Sequence, residues 1–488
     1  MVAGRVGMAW FAVFMLFAGV ASGAERDLRL IDASRRDDAA AAKALMASGA
    51  DVNARAADGA TALHWAAQGN DLTLADALIR KGAKVDAATD LGITPLWIAA
   101  TNSSTAMIAR LLEAHANPNI APPTDGTPLM IAARLGNVQA VQAMLAHGAD
   151  ANAKEVSHGQ TVLMWAAAEG HSDVVRLLLA AHADVRARAK SWKQRVMICC
   201  QIYEGDDDGA AVVERGGYTP LLFAAQSGDV ESARLIIAAG ADLKETSPDG
   251  ANALIIAAHE QQSDMAVFLV GAGVDPNDAR AGYTALHIAA TWGDQPLVKA
   301  LLDHGADPNA RLMKGSATKQ MRSGHALDHR LVGATPFVLA ACAGNLEVMK
   351  LLAAKGADLS IPLKDGRSVL MAMAGRGTQT QQGAKIPETQ VVQALKLAIK
   401  LGAQVNQADP NGDTALHVAA TRRRDALVQA LADSGAALDA KNHDGETPLT
   451  VALKPPPPAK GSGISDDYEY ILRHTGTAEI LKKLGAKT

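Results

Sequence analysis

Aromatic side chains, cysteine, net charge and long apolar runs are all in short supply here, and each shortage narrows the choice. With only 3% Phe, Trp and Tyr among 488 residues, the interior cannot be built around large rings. Three cysteines exclude a disulfide-built scaffold. The balance of 47 basic against 51 acidic residues leaves a net charge of −4, which argues against nucleic acid as a partner. No apolar run reaches the roughly 20 residues that span a bilayer, so stable membrane insertion is not expected.

What is present is small and apolar. Hydrophobic residues make up 49% of the chain, which excludes wholesale disorder, and about one residue in five is alanine. Alanine favours helix and lets helices approach closely, so many short stacked helices are expected rather than one thick core. The N-terminus reads as an export leader over residues 1–24. Arg5 is followed by a short apolar stretch from Met8 to Ala21, then by Ser22-Gly23-Ala24 before the charged Glu25. Cleavage after Ala24 fits the small-residue rule, and the expected location is outside the cytoplasm, periplasmic or secreted.

One pattern recurs through the rest. It runs Thr61-Ala62-Leu63-His64, Thr94-Pro95-Leu96, Thr127-Pro128-Leu129, Thr161-Val162-Leu163, Thr219-Pro220-Leu221 and Asn252-Ala253-Leu254. It continues with Thr284-Ala285-Leu286-His287, Thr335-Pro336-Phe337, Ser368-Val369-Leu370, Thr414-Ala415-Leu416-His417 and Thr447-Pro448-Leu449. Successive spacings are 33, 33, 34, 58, 33, 32, 51, 33, 46 and 33. Thr, Ser or Asn at the start supplies an oxygen for free backbone N–H groups, and the proline is pre-set for a first helical turn. A second helix with apolar positions three and four apart ends at a glycine such as Gly49, Gly148, Gly240, Gly305 or Gly356, able to turn left-handed. His115 and His182 replace that glycine and are expected to adopt the same conformation.

This grammar resembles the ankyrin repeat, a turn plus two antiparallel helices. The resemblance implies an all-α ankyrin-repeat solenoid over 25–488, of about twelve helix-turn-helix units. A first unit without a threonine cap occupies 28–57, and insertions fall near 190–216, 312–332, 376–388 and 454–467. The resemblance also implies that His64, His287 and His417 bridge neighbouring units.

The insertions are the places where catalysis could be sought. The first holds Trp192, Cys199-Cys200, Tyr203 and Glu204-Gly205-Asp206-Asp207-Asp208, read as a solvated acidic turn since its spacing fits no calcium loop. The second holds His325, Asp328 and His329, read as a polar loop rather than a metal site. The third is read as a flexible Gly/Gln loop, and Pro455 to Pro458 as a stiff spacer. No phosphate loop, nucleophile elbow, metal-protease helix or haem-attachment motif is found, so neither catalysis, cofactor nor metal is expected.

The family resemblance implies a protein partner on the concave surface of first helices and turn tips. There Tyr218 and Tyr283 precede helix caps, Trp292 ends a first helix, and His259 and Glu260 stand in the preceding unit. These five are the candidate partner-binding residues, expected at the surface, since exposed Trp and Tyr often anchor interfaces. Trp65 and Trp165, in the apolar slot before Ala-Ala, are expected in the core. A regulatory or chaperone-like subunit of an exported enzyme is the alternative reading, with an enzyme sited in the insertions a remote third.

Overall fold

The computed structural model describes residues 27–123, 125–197, 210–315, 327, 329–375, 386–454 and 476–487. The chain falls into two compact blocks, one ending at Pro123 and one beginning at Thr124. The first holds three helix pairs: α1 (Arg29–Arg35) with α2 (Ala39–Ala47), α3 (Ala62–Gln68) with α4 (Leu72–Arg80), and α5 (Pro95–Thr101) with α6 (Thr105–Glu113). The second begins with α7 (Pro128–Arg134) and α8 (Val138–Ala146), then α9 (Val162–Glu169) and α10 (Ser172–Ala180). Strands β1 (Ser191–Met197) and β2 (Ala210–Gly216) follow.

Seven more pairs complete the second block: α11 (Pro220–Ser227) and α12 (Val230–Ala238), α13 (Ala253–His259) and α14 (Ser263–Gly271), α15 (Ala285–Trp292) and α16 (Gln295–Asp303). Next are α17 (Pro336–Ala343) and α18 (Leu346–Ala354), then α19 (Val369–Gly375) and α20 (Glu388–Lys400). Last come α21 (Ala415–Thr421) with α22 (Asp425–Asp433), and α23 (Pro448–Leu453) with α24 (Thr477–Lys483). These are the twelve units of the sequence pattern. Within each block first helices stack on first helices and second on second, giving two rows.

Several of the caps act as the sequence indicates. Thr94, Thr127 and Thr161 hydroxyls accept from N–H groups three residues on at 3.2–3.3 Å, and the Asn252 carbonyl oxygen does so at 2.9 Å. Second helices are capped too, by Asp38, Asp71, Asn137 and Asp294. His115 and His182 take φ of 63° and 59°, as expected of their positions. At Gly49 an added Cβ would meet nothing within 4 Å, so glycine serves there for its φ of 89° alone. At Gly250 the same atom would fall 2.5 Å from the Arg280 carbonyl oxygen, so close backbone approach also demands glycine. The alanine pairs of the first helices, such as Ala66-Ala67 and Ala166-Ala167, are fully buried and bring the helices close.

Two polar devices join successive units. Thr61 N–H and hydroxyl both bond His64 Nδ1 at 3.1 and 2.9 Å, leaving Nε2–H to donate to the Ile93 carbonyl of the next unit at 3.0 Å. His417 repeats this with Thr414 and the Glu446 carbonyl. His287 makes the Thr284 bonds, but its buried Nε2 faces the Ala310 and Ala334 carbonyls without closing a hydrogen bond. The second device is a carboxamide clamp. Asn53 donates to the Gly82 carbonyl at 3.0 Å and accepts from Lys84 N–H at 2.7 Å. Asn152, Asn277, Asn309 and Asn406 make the same pair of bonds to His182 and Asp184, Gly305 and Asp307, Gly356 and Asp358, and Gly435 and Ala437. Asp86 and Asp439, which can only accept, keep half of it, to Asn117 and Lys487 N–H.

Four expectations need correction. The insertion at 190–216 is not only a loop: β1 and β2 pair antiparallel from Ser191↔Gly216 to Met197↔Ala210, adding a two-stranded ribbon to an otherwise helical chain. Trp192, Gln194 and Val196 alternate along β1, and Val212 and Val213 supply β-branched residues to β2. Trp65 and Trp165 are half-buried rather than core, with Arg134 stacked 5.0 Å over the Trp165 ring. The Thr219 and Thr335 hydroxyls make no cap bond to their helices. Part of the insertion at 312–332 packs inward, since Leu312, Leu327 and Leu331 are buried and His329–Leu331 form a 3-10 turn. Cys199, Cys200, the acidic run 204–208, His325, Asp328, residues 376–385 and 455–475, and the leader all lie outside the described residues.

The Asn309→Ala variant is expected to lose ~1 kcal/mol from the two clamp bonds, and Asn309→Asp about half that, as midpoint shifts in urea. Equal losses would show that the acceptor half, which Asp retains, contributes nothing. Burial pushes His287 down to about 4. The unfolded imidazole, near 6.5, then binds a proton that the folded one does not. Stability is full above that value and falls as pH drops from about 6.5 toward 4, by up to ~3 kcal/mol. In His287→Gln this part of the pH slope should vanish; an unchanged slope would assign it to other groups.

Candidate partner-binding surface

The first helices α11, α13 and α15 lie side by side in one row, which brings their ends together. The residue before each cap and the residue closing each helix are therefore neighbours across units. Four of the five sequence-selected residues are linked here. Tyr283, before the Thr284 cap, lays its ring edge-on against His259 with centroids 5.4 Å apart, and its hydroxyl hydrogen-bonds His259 Nε2 at 3.0 Å. Tyr218, before the Thr219 cap, packs on Phe223 at 5.4 Å, and its carbonyl accepts from Ala189 N–H at 3.0 Å. The Glu260 charge bears on Tyr218.

Exposure divides the set. Tyr283 and His259 are each only 3% exposed, which corrects the expectation that they stand at the surface. Their rings reach along the stack and satisfy one another, so they form the floor of the face. Tyr218, Glu260 and Trp292 are half-buried, with part of each side chain open to solvent. Trp292 closes α15 immediately before Gly293, which turns left-handed at φ 75°.

The electrostatics hold the phenols neutral. Burial pushes both Tyr218 and Tyr283 above the ordinary tyrosine range, and the Asp249 carboxylate pushes both further. Asp249 lies in the turn leading into α13 and is exposed. Sequence reading passed over it and Phe223; the Asp249-Gly250 turn beside the tyrosine positions was the available signal. A protonated tyrosine, a half-open indole and two carboxylates can donate, stack and attract cations. Among the described residues no group of three His, Cys, Asp or Glu is placed to hold a metal. Nor is any described helix long and apolar enough to cross a membrane.

Comparison with known proteins follows the same repeats. The family model described as "Ankyrin repeats (3 copies)" matches residues 30–122, 116–189, 221–311 and 384–456, and the single "Ankyrin repeat" matches 332–363. The mouse (Mus musculus) B-cell lymphoma 3 protein homolog is 31% identical over 191 residues, 39% of this chain and 37% of that protein. E3 ubiquitin-protein ligase KEG of Arabidopsis thaliana is 25% identical over 264 residues, 52% of this chain and 15% of the relative. The alignments thus span well under two thirds of these relatives. The crystal structure of the human ASB11 ankyrin repeat domain, 27% identical, covers 49% of this chain and 96% of its own, with a TM-score of 0.39. With the repeat models matching most of its length, the chain belongs to the ankyrin-repeat family.

Proposed function

We propose that this chain is a non-enzymatic scaffold, acting outside the cytoplasm, that binds a partner protein through the face formed by α11, α13 and α15. Ankyrin repeats are protein–protein interaction modules, which supports the general role. The observation that carries the specific reading is that Tyr218 and Glu260, half-open to solvent, adjoin the buried Tyr283–His259 pair, while the half-open Trp292 closes the same helix, α15, that Tyr283 precedes. In a chain with 3% aromatics, such a cluster is a costly thing to leave at a surface unless something covers it. Its chemistry suits a partner that offers a hydrogen-bond acceptor and a basic or aromatic group. The leader-like segment ahead of Glu25 supports export, to the periplasm or beyond.

A crosslinking pull-down from the exported fraction, comparing wild type with Tyr218→Ala/Trp292→Ala, tests the face. A partner captured by the wild type and lost from the folded double variant is expected; equal capture by both would move the face elsewhere. Tyr283→Phe serves as a control for the floor. It should cost about 1–2 kcal/mol in unfolding free energy through the lost bond to His259. N-terminal sequencing of the exported protein is expected to begin at Glu25, and an intact Met1 would overturn the location.

A further inference from the structure

The carboxamide clamp is missing at more than one joint, and at one of them a cleft stands in its place. The clamp residue comes four positions after the glycine or histidine that ends each second helix. In unit 6 that position is Lys244, an exposed side chain that makes neither clamp bond. A lysine ammonium cannot accept a hydrogen bond, so it could not replace an asparagine at both groups. The matching groups in unit 7 are the Gly273 carbonyl and the Asp275 N–H, by register with Gly305 and Asp307. Neither is taken by a side chain. At the preceding joint Arg186 donates to the Gly240 carbonyl at 3.3 Å, and at the joint of units 9 and 10 the Gln404 carboxamide donates to the Gly402 carbonyl at 3.3 Å.

The opening between Arg186, residues 241–245, Asn252, Gly273, Asp275, Asp278 and Arg280 has a volume of about 740 Å³. Arg280 is held in its wall by Asp278 and by the Lys244 carbonyl. Glu245 also lines it, and its Oε2 is buried without a hydrogen bond. The cleft therefore presents an acceptor and a donor in the register that asparagine side chains such as Asn277 and Asn309 occupy elsewhere in this chain, with a second acceptor nearby. We infer that the cleft at the joint of units 6 and 7 is a binding site for a primary carboxamide, seated between the Gly273 carbonyl and the Asp275 N–H. The carboxamide could belong to a small molecule or to an Asn side chain of another protein, and the two sources are separable. This site uses none of the residues of the proposed partner-binding face.

The test is saturation-transfer NMR on the full chain, with free L-asparagine and with the peptide acetyl-Gly-Asn-Gly methyl ester. L-Aspartate and the matching Asp peptide are isosteric controls that cannot donate to the Gly273 carbonyl. Asparagine or its peptide should bind and the aspartate forms should not. A signal from the free amino acid alone assigns a small ligand; one from the peptide assigns a protein side chain. Lys244→Asn should close the clamp from within and weaken binding about tenfold. Lys244→Ala, which removes the ammonium but supplies no amide, should keep it. Equal binding of the Asn and Asp probes, binding unchanged in Lys244→Asn, or no binding of either Asn probe would overturn the inference.

Discussion

A helix of seven to nine residues does not persist alone in water, and nearly every helix in this chain is that short. All else follows from that constraint. Each unit gains its stability by covering the apolar flank of the next, so residues that touch two units matter more than those that complete one. Alanine suits this need because it lets helix rows approach closely. Histidine and asparagine add direction: His64 and His417 reach the carbonyl of the following unit, and asparagines from Asn53 to Asn406 clasp the turn of the unit after them.

Much of what the repeat itself encodes was legible in the sequence, although the in-register asparagine clamp was passed over and the expected His287 bridge does not close. Thr94 and Asn252 declared helix starts, the glycines declared helix ends, and His115 and His182 could be read as left-handed because their register left no other reading. The bridging role of His64 came with the family pattern and holds in the structure. What the pattern does not repeat was harder to see. The ribbon at Ser191–Gly216 has alternating side chains, but an acidic segment between its strands masked the pairing.

Tyr283 and His259 show a different limit. Position in a repeat gives the direction of the backbone, not the reach of a ring. Two long side chains twenty-four residues apart turned toward each other and became interior. The half-open positions of Trp65 and Trp165 reflect the same limit in reverse, since indoles are too large for the slot that an alanine-lined row provides. The surface that remains around Tyr218, Glu260 and Trp292 is thus narrower than register alone indicates.

The uneven spacing of the carboxamide clamps has a mechanical side. Where an asparagine clasps the next turn, sliding one unit past another must break two hydrogen bonds at once. Where Lys244 or Ser360 stands instead, that paired clasp is absent, and packing with single bonds to the Lys244 and Ser360 carbonyls resists the motion. The second block is consequently a stack of stiff segments separated by softer joints. Bending, twisting and the first steps of unravelling will concentrate at those joints rather than spread evenly along the repeats.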